Sequence, residues 1–255
     1  MTDIYQEIIR AMNEGEEAAL VTIISAKGST PRKEGAKMLV KTDGSVIDSV
    51  GGGGLEAEVT DLAMEVLKTG KPQRFNINLN AKEGEAGMIC GGEVEVFVEP
   101  ITSSATLYIF GGGHVSLPVD RIGKQLGFRI VVIDDREEYV NPERFPDAEI
   151  VLIEDFSNAF SELKITKSSY IIILTRDHPL DELVLGQAVK TPAKYIGMMG
   201  SQNKIKTIFA HLVDKGIAQE QLDKIHAPIG LDIHAQTPEE IAVSILAEII
   251  KVRRS

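Results

Sequence analysis

A glycine turn in the second half of the chain carries the clearest chemical signal. Residues 111–115 follow an apolar run that predicts a strand and precede a pattern that predicts a helix. Glycine lets backbone N–H groups approach a phosphate closely, and a helix N-terminus favours negative charge. Gly111, Gly113 and His114 are therefore candidate contacts to an anionic ligand. The dinucleotide fingerprint is incomplete because Ser116 replaces its third glycine, so a purely structural turn is the alternative.

Asp134 ends the next predicted strand, about twenty residues after the turn, where dinucleotide-binding folds place a carboxylate that contacts the ribose. It could instead cap the loop that follows, and its neighbour Asp135 leaves the assignment open. With the glycine turn, Asp134 makes NAD(P) a candidate cofactor and an NAD(P)-dependent oxidoreductase a candidate function. Nothing else in the sequence marks a site of hydride transfer, and a fold supplies no reaction by itself.

Two further polar segments follow predicted strands, at the carboxyl edge where open α/β sheets bind ligands. In the first, Arg176 and Asp177 precede His178, which could act as an acid, a base or a ligand. The alternative is that Asp177 caps the next helix and His178 is solvated. In the second segment, Ser201 is a candidate N-cap and Lys204 a candidate phosphate contact on the first helical turn.

A second glycine run, Gly51, Gly52, Gly53 and Gly54, precedes another predicted helix. Upstream of it, residues 27–37 supply basic side chains in an otherwise acidic protein, and together the two segments suggest an anion cradle. Lysines in such a loop are usually only solvated. We single out Arg32, because its planar guanidinium suits phosphate or carboxylate and because it follows a proline.

Cys90 is the only cysteine, and its glycine neighbours would leave the sulfur approachable. It is a candidate nucleophile if its pKa is lowered, or a soft metal ligand, although a lone cysteine can also be an inert core residue. A single thiol excludes an intramolecular disulfide. The other histidines, His211, His226 and His234, lack the spacing of a conventional zinc site.

The first half of the chain must position Arg32 and the first glycine run with a mixed α+β domain. Apolar residues at helical spacing predict a first helix over residues 3–13. Strands are predicted over residues 18–25 and 37–40, and an Asp-Gly turn then predicts an antiparallel hairpin. Further strands are expected before a polar boundary, so we assign residues 1–104 to an N-terminal domain.

Beyond that boundary, short apolar runs alternate with helical patterns, which indicates parallel strands with crossover helices. Residues 105–255 are therefore predicted to form a Rossmann-type, doubly wound domain. Thr237 and Glu240 form a capping box that starts the last helix. The fold class is thus α/β, with an N-terminal mixed α+β domain followed by a C-terminal Rossmann-type parallel-sheet domain.

Composition narrows the classes of partner. The 255 residues carry a formal net charge of −11, which disfavours nucleic acid, and we see no concentrated basic stripe. No apolar run is long enough to cross a membrane, and the amino-terminal segment does not look like a signal peptide. We therefore predict a cytoplasmic protein with no membrane or nucleic-acid partner, and its apolar composition is compatible with a homodimer.

Several motifs, taken in order, resemble the XdhC/CoxI family of xanthine dehydrogenase accessory factors. In the N-terminal half these are residues 28–32, 49–56, 90–92 and 99–100. In the C-terminal half they are residues 110–115, 175–178, 195–201 and 227–231. The resemblance spans nearly the whole chain, so it is far more specific than either glycine motif alone.

This resemblance implies a chaperone without turnover of its own. Such a protein binds the molybdenum cofactor, molybdopterin, during sulfuration and delivers it to a xanthine dehydrogenase or related molybdenum hydroxylase, with a cysteine desulfurase as a further partner. Many relatives carry cysteine where this chain has Gly54. Either Cys90 supplies the only protein thiolate, or the cofactor is held without a thiolate, or this member no longer has the function of the family. An interaction module whose glycine turns are relics is a third hypothesis.

Overall fold

The computed structural model describes residues 3–79, 92–101, 105–161 and 163–254. The chain divides into two compact units, Met1–Ser103 and Ser104–Ser255. Along the described parts of the chain, no helix is both long and apolar enough to cross a lipid bilayer.

The N-terminal unit is built on an antiparallel sheet. Its elements are α1 (Ile4–Glu14), β1 (Ala18–Gly28), β2 (Lys37–Lys41), β3 (Val46–Asp48), α2 (Gly53–Thr69), β4 (Gln73–Asn78) and β5 (Gly92–Ile101). The strand order is β3-β2-β1-β5-β4, and each neighbouring pair is antiparallel. The first helix and the hairpin are therefore confirmed, and Gly44 takes the positive φ, 81°, that the hairpin turn needs.

Alternating residues of this sheet face two different helices. Val21 and Val40 pack with Val59 of α2, whereas Leu20 and Leu39 pack with Ile4 of α1. The period of two along a strand explains how each strand serves both faces. The glycine run lies at the start of α2, and the helix begins inside the run, at Gly53.

The C-terminal unit is a parallel sheet with helices on both faces. Its strands are β6 (Thr106–Phe110), β7 (Arg129–Asp134), β8 (Glu149–Leu152), β9 (Ser169–Ile173) and β10 (Tyr195–Met198). Its helices are α3 (Ser116–Gln125), α4 (His178–Ala188), α5 (Gln202–Asp214), α6 (Gln219–Leu222) and α7 (Pro238–Arg254), with a short 3-10 helix at Phe156–Ser161. The strand order is β10-β9-β6-β7-β8, and each neighbouring pair is parallel. The predicted Rossmann-type domain is confirmed.

Both faces of this sheet are buried, which explains why its strands read as continuous apolar runs. Phe110 and Ile173 face the core that includes α4 and α5, while Ile109 and Ile172 face the core that includes α7. At the start of α7, Thr237 and Glu240 make the predicted capping box: the Thr237 hydroxyl accepts the N–H of Glu240 at 3.2 Å, and the Glu240 carboxylate accepts the N–H of Thr237 at 3.1 Å.

Candidate functional site

Three of the segments singled out in the N-terminal half meet in the folded unit. Gly51 has φ of +141°, and a Cβ there would lie 2.3 Å from Cγ of Pro31. Gly92 pairs with Gly28 across the sheet, and a Cβ at Gly92 would lie 2.7 Å from the carbonyl oxygen of Ser29. The proline loop, residues 29–36 between β1 and β2, is therefore packed against Gly51 of the glycine run and against Gly92 at the start of β5, and neither glycine has room for a side chain.

The first N–H groups of the glycine loop, residues 49–54, already donate hydrogen bonds within the protein. The N–H of Gly51 donates to Oγ of Ser49 at 3.1 Å, and the N–H of Gly52 donates to Oε1 of Glu56 at 3.0 Å. The hydroxyl of Ser49 donates to the same Glu56 oxygen. The loop is therefore closed onto the first turn of its own helix by one carboxylate.

The next glycines offer a different environment. Gly53 begins α2 and Gly52 precedes it as the N-cap, and glycine has no side chain with which to cap the helix. Gly53 and Gly54 are both exposed. A Cβ at Gly54 would meet no atom within 4 Å, and this residue does not have a positive φ. The backbone at position 54 therefore accepts a larger residue, and an approaching ligand as well.

Arg32 is exposed on the proline loop next to this glycine loop. Its carbonyl oxygen accepts a hydrogen bond of 3.0 Å from the hydroxyl of Thr30, which orders the loop backbone. Lys37 instead extends along the sheet, where its ammonium donates to the hydroxyl of Thr22 at 3.0 Å. Cys90, the predicted nucleophile or metal ligand, lies outside the described residues. It precedes Gly92 by two positions.

The other glycine turn lies in the C-terminal unit, where the strand order reverses between β6 and β9. Ligands of open α/β sheets bind in the crevice at such a switch point. Here Gly111, with φ of +107°, sits against β9: a Cβ would lie 2.3 Å from the carbonyl oxygen of Leu174. Gly112 is equally confined, since a Cβ would lie 2.3 Å from the carbonyl oxygen of Tyr139. Packing therefore explains the first two glycines.

Gly113 differs from them, because a Cβ there would meet no atom within 4 Å. His114 beside it is exposed. Val115 precedes α3, and its side chain makes no capping hydrogen bond to that helix. Ser116 replaces the third glycine of the fingerprint, is fully buried, and donates its hydroxyl to the carbonyl oxygen of Gly111. This serine stabilises the turn from inside.

Asp134 is engaged within the protein. Its Oδ2 accepts the N–H of Gly112 at 2.8 Å, and its carboxylate receives Nε and Nη2 of Arg136 at 3.0 and 3.1 Å. The guanidinium of Arg136 also stacks on Tyr139, 3.8 Å from the ring centroid. Arg144 donates to the carbonyl oxygen of Gly112 at 3.0 Å. Both groups of Gly112 that can hydrogen-bond are thus held by side chains at the end of β7 and in the segment after it.

The neighbouring segment after β9 also makes internal contacts. Arg176 donates to the carboxylate of Asp135, and this hydrogen bond is the main reason that the pKa of Asp135 is lowered. Asp177 caps α4 by accepting the N–H of Leu180 at 3.0 Å. This is the capping role that the sequence analysis gave as the alternative to a ligand-binding segment. His178 is exposed at the first position of the helix.

Ser201 and Lys204 begin α5, and the Ser201 hydroxyl accepts the N–H of Lys204 at 3.3 Å, as predicted for an N-cap. The ammonium of Lys204 contacts the carboxylate of Asp181, which is 1% exposed. Thr175 donates to the other oxygen of that carboxylate at 2.6 Å. Burial raises the pKa of Asp181, while the hydrogen bonds from Lys204 and Thr175 oppose that rise.

Five residues that shape these sites escaped the sequence analysis: Glu56, Arg136, Tyr139, Arg144 and Asp181. Arg144 and Asp181 contact residues that are far away in the chain, whereas Glu56 reaches back four positions to Gly52 and Arg136 two positions to Asp134. Spacing gave a signal for Glu56 alone, because an acid on the first turn after a glycine run can reach back to the loop N–H groups. Within the described residues, no three histidine, cysteine or acidic side chains lie together as a metal site would require.

The fold and the turn define the class of the C-terminal unit: a Rossmann-type domain with an anion-compatible glycine turn at its switch point. Residues 107–249 match the family model described as the XdhC Rossmann domain, and residues 11–78 match the XdhC and CoxI family. The chain belongs to the XdhC/CoxI family.

Curated relatives agree with this membership. The chain is 33% identical to the uncharacterized protein YqeB of Escherichia coli (strain K12), over 99% of the chain and 47% of YqeB. It is 28% identical to a protein of Bacillus subtilis (strain 168) named as a probable xanthine dehydrogenase subunit, over 62% of the chain and 46% of that protein. The chain therefore spans about half the length of these two relatives.

Two further proteins match along almost their whole length. The molybdenum cofactor insertion chaperone PaoD of Escherichia coli (strain K12) is 25% identical, over 99% of the chain and 90% of PaoD. The crystal structure of a xanthine dehydrogenase from Bacillus halodurans has a TM-score of 0.53 and 24% identity, and the match covers 100% of the chain and 96% of that structure. At this identity the structural likeness supports the fold alone.

Proposed function

We propose that this protein binds the molybdenum cofactor and delivers it, after sulfuration, to a xanthine dehydrogenase or related molybdenum hydroxylase. The observation that carries the proposal is the convergence of the proline loop, the glycine loop and the start of β5 in the N-terminal unit. PaoD, which carries the name of a molybdenum cofactor insertion chaperone, aligns along 90% of its length and supports this role. In this proposal the cofactor is cargo, and the protein has no turnover of its own.

The residues at the glycine loop fit such a cargo. The cofactor is a pterin with a phosphate and a dithiolene-bound molybdenum oxo centre, so parts of it are anionic. Arg32 is exposed and offers a guanidinium for bidentate binding of phosphate. The N-terminus of α2, with Gly53 and Gly54, offers N–H donors and open space. Cys90 is the thiol we assign to the metal.

The C-terminal contacts are proposed as secondary. The turn before α3, with open space beside Gly113 and an exposed His114, is compatible with an anionic ligand. We assign five residues at the same edge of the sheet as positioning groups, because they follow β9 and β10 and most of them make hydrogen bonds within the protein: Arg176, Asp177, His178, Ser201 and Lys204. An NAD(P)-dependent oxidoreductase has less support, because the carboxylate oxygens of Asp134 already accept hydrogen bonds within the protein.

The test is to express the protein in cells with an active cofactor pathway, purify it without oxygen, and measure molybdenum and oxidised pterin. We expect both in similar amounts, and absence of both would refute the proposal. The loaded protein should then activate a molybdenum-free xanthine dehydrogenase apoenzyme. A gain in activity that requires a cysteine desulfurase would support the sulfuration step, and equal activation without the desulfurase would remove that step.

The remaining parts of the proposal concern assembly and location. We propose two domains, residues 1–104 and 105–255, in a cytoplasmic homodimer whose partners are the molybdenum enzyme and the cysteine desulfurase. Sedimentation at several protein concentrations tests the dimer, and a single species of monomer mass would exclude it. Replacing Cys90 by serine should weaken cofactor retention, and unchanged retention would exclude a role for the thiol.

A further inference from the structure

The glycine loop of the N-terminal unit owes its shape to one charged side chain. Glu56 lies on the first turn of α2 and is half-buried. Its Oε1 accepts the N–H of Gly52 at 3.0 Å and also the hydroxyl of Ser49. That hydroxyl oxygen in turn accepts the N–H of Gly51 at 3.1 Å. The carboxylate therefore holds the Gly52 N–H directly and the Gly51 N–H through the serine.

These contacts act on a backbone that has little stiffness of its own. Gly51, Gly52 and Gly53 have φ values of 141°, 77° and 60°, in the region that glycine visits freely and other residues avoid. Without a tether, a run of glycines populates many conformations, and ordering it costs conformational entropy. Hydrogen bonds to a carboxylate are stronger than those to a neutral acceptor, so Glu56 is well suited to hold one conformation.

The same contacts decide which donors stay available. Glu56 and Ser49 occupy the N–H groups of Gly51 and Gly52. The next N–H groups, of Gly53 and Gly54, belong to the start of α2, which has a glycine as its N-cap. The space beside Gly54 is open. An incoming oxygen atom would therefore meet the second half of the glycine run and be kept from the first half by the carboxylate.

We propose that Glu56 is a positioning residue of the cofactor site: it fixes the glycine loop so that the N–H groups of Gly53 and Gly54 face the cargo. This inference rests on the proposed function. Its physical basis is preorganisation, since a loop fixed before binding does not lose its entropy on binding. Ser49 acts with Glu56 and extends its reach to Gly51.

The experiment compares four variants with the wild-type protein. Glu56→Ala removes the acceptor, and Glu56→Gln keeps an oxygen that can accept the Gly52 N–H. Ser49→Ala removes only the link to Gly51. Glu65→Ala, at an exposed glutamate on the same helix, controls for loss of one negative charge. Each protein is purified without oxygen from cells that make the cofactor, and its molybdenum, its pterin and its thermal midpoint are measured.

We expect cofactor release to be about tenfold faster in Glu56→Ala, the effect of losing a hydrogen bond to a charged group. Glu56→Gln should recover most of the retention, and Glu65→Ala should match the wild type. A purely structural role predicts loss of retention only in proportion to loss of folded protein. Wild-type retention by folded Glu56→Ala, or failure of Glu56→Gln to rescue, would overturn the inference.

A second measurement separates this inference from the proposed function. Amide hydrogen exchange of residues 51–54 is measured on protein without cofactor. Glu56→Ala should speed this exchange, whereas Glu65→Ala should not. If the wild-type protein carries no molybdenum or pterin, the proposed function fails while the exchange data still decide whether Glu56 orders the loop. Unchanged exchange in Glu56→Ala would overturn the positioning role by itself.

Discussion

Alanine substitution of the first glycine at the switch point should damage the C-terminal unit severely. At Gly111 a Cβ would lie 2.3 Å from the carbonyl oxygen of Leu174, and φ is +107°. A side chain in that backbone region costs about 1–3 kcal/mol. Moving the backbone of β9 to relieve the overlap costs a further 1–3 kcal/mol or so. We therefore expect Gly111→Ala to lower the free energy of unfolding by roughly 4 kcal/mol, a large part of a typical domain stability of about 5–15 kcal/mol.

Gly113→Ala is the matched control, two positions along the same turn. A Cβ at Gly113 meets no atom within 4 Å, and the residue does not have a positive φ. Alanine there should change stability by less than about 1 kcal/mol, in the direction set by the lower entropy of the unfolded chain. The pair separates packing from ligand binding, because only Gly113 is free to contact an anion.

Urea unfolding followed by tyrosine fluorescence measures both variants. The chain has no tryptophan, and of its 5 tyrosines only Tyr5 precedes the C-terminal unit, so the signal comes mainly from that unit. Equal midpoints for Gly111→Ala and Gly113→Ala would refute the argument that packing against β9 demands the first glycine. A much lower midpoint for Gly113→Ala alone would show that packing demands glycine at position 113 and not at position 111.

Four other experiments have defined expectations. Gly54→Cys should fold with wild-type stability, because a Cβ fits there, and should retain more molybdenum on anaerobic purification; a fall in both would contradict the open space at this position. Lys204→Met should cost about 3–5 kcal/mol by leaving the buried Asp181 unpaired, and the double variant with Asp181→Asn should recover most of that loss in urea unfolding. Burial raises the pKa of Asp120, whose Oδ1 has no hydrogen-bond partner among the described residues. Because the folded pKa of Asp120 exceeds its unfolded value, the protonated carboxyl stabilises the fold at low pH, and this stabilisation is lost as pH rises. The free energy of unfolding of Asp120→Asn should therefore increase relative to that of the wild type from pH 4 to pH 8. A difference between the two proteins that stays constant with pH would contradict this. Titration calorimetry with NAD(H) and NADP(H) should detect no binding at millimolar ligand, because Asp134 is engaged internally; measurable affinity would restore the oxidoreductase hypothesis.

Local sequence patterns were sufficient to predict the order of the helices and strands and the first residues of several helices. The first helix, the Asp-Gly hairpin and the five parallel strands follow from periodicity and turn residues, which act over a few positions of the chain. Thr237 and Ser201 cap their helices as predicted, because a cap needs only the residues three positions apart. The fold class could therefore be predicted from the sequence.

The glycine motifs show what such local patterns do not predict. Sequence marked residues 111–113 as one turn, but the structure distinguishes Gly111 and Gly112, which packing demands, from Gly113, which faces open space. It also marked Asp134 as a ribose contact or a loop cap. The structure adds that Arg136 and the Gly112 N–H already bind this carboxylate.

The sequence by itself determined that the chain is α/β, that a parallel sheet follows a mixed domain, and which glycine runs precede helices, because these properties depend on neighbours along the chain. Only the tertiary structure decided which N–H groups and carboxylates remain available to a ligand. Pro31 against Gly51, Arg144 on Gly112 and Asp181 on Lys204 are contacts set by the packing of whole elements. Such contacts depend on distances in space that no local spacing encodes.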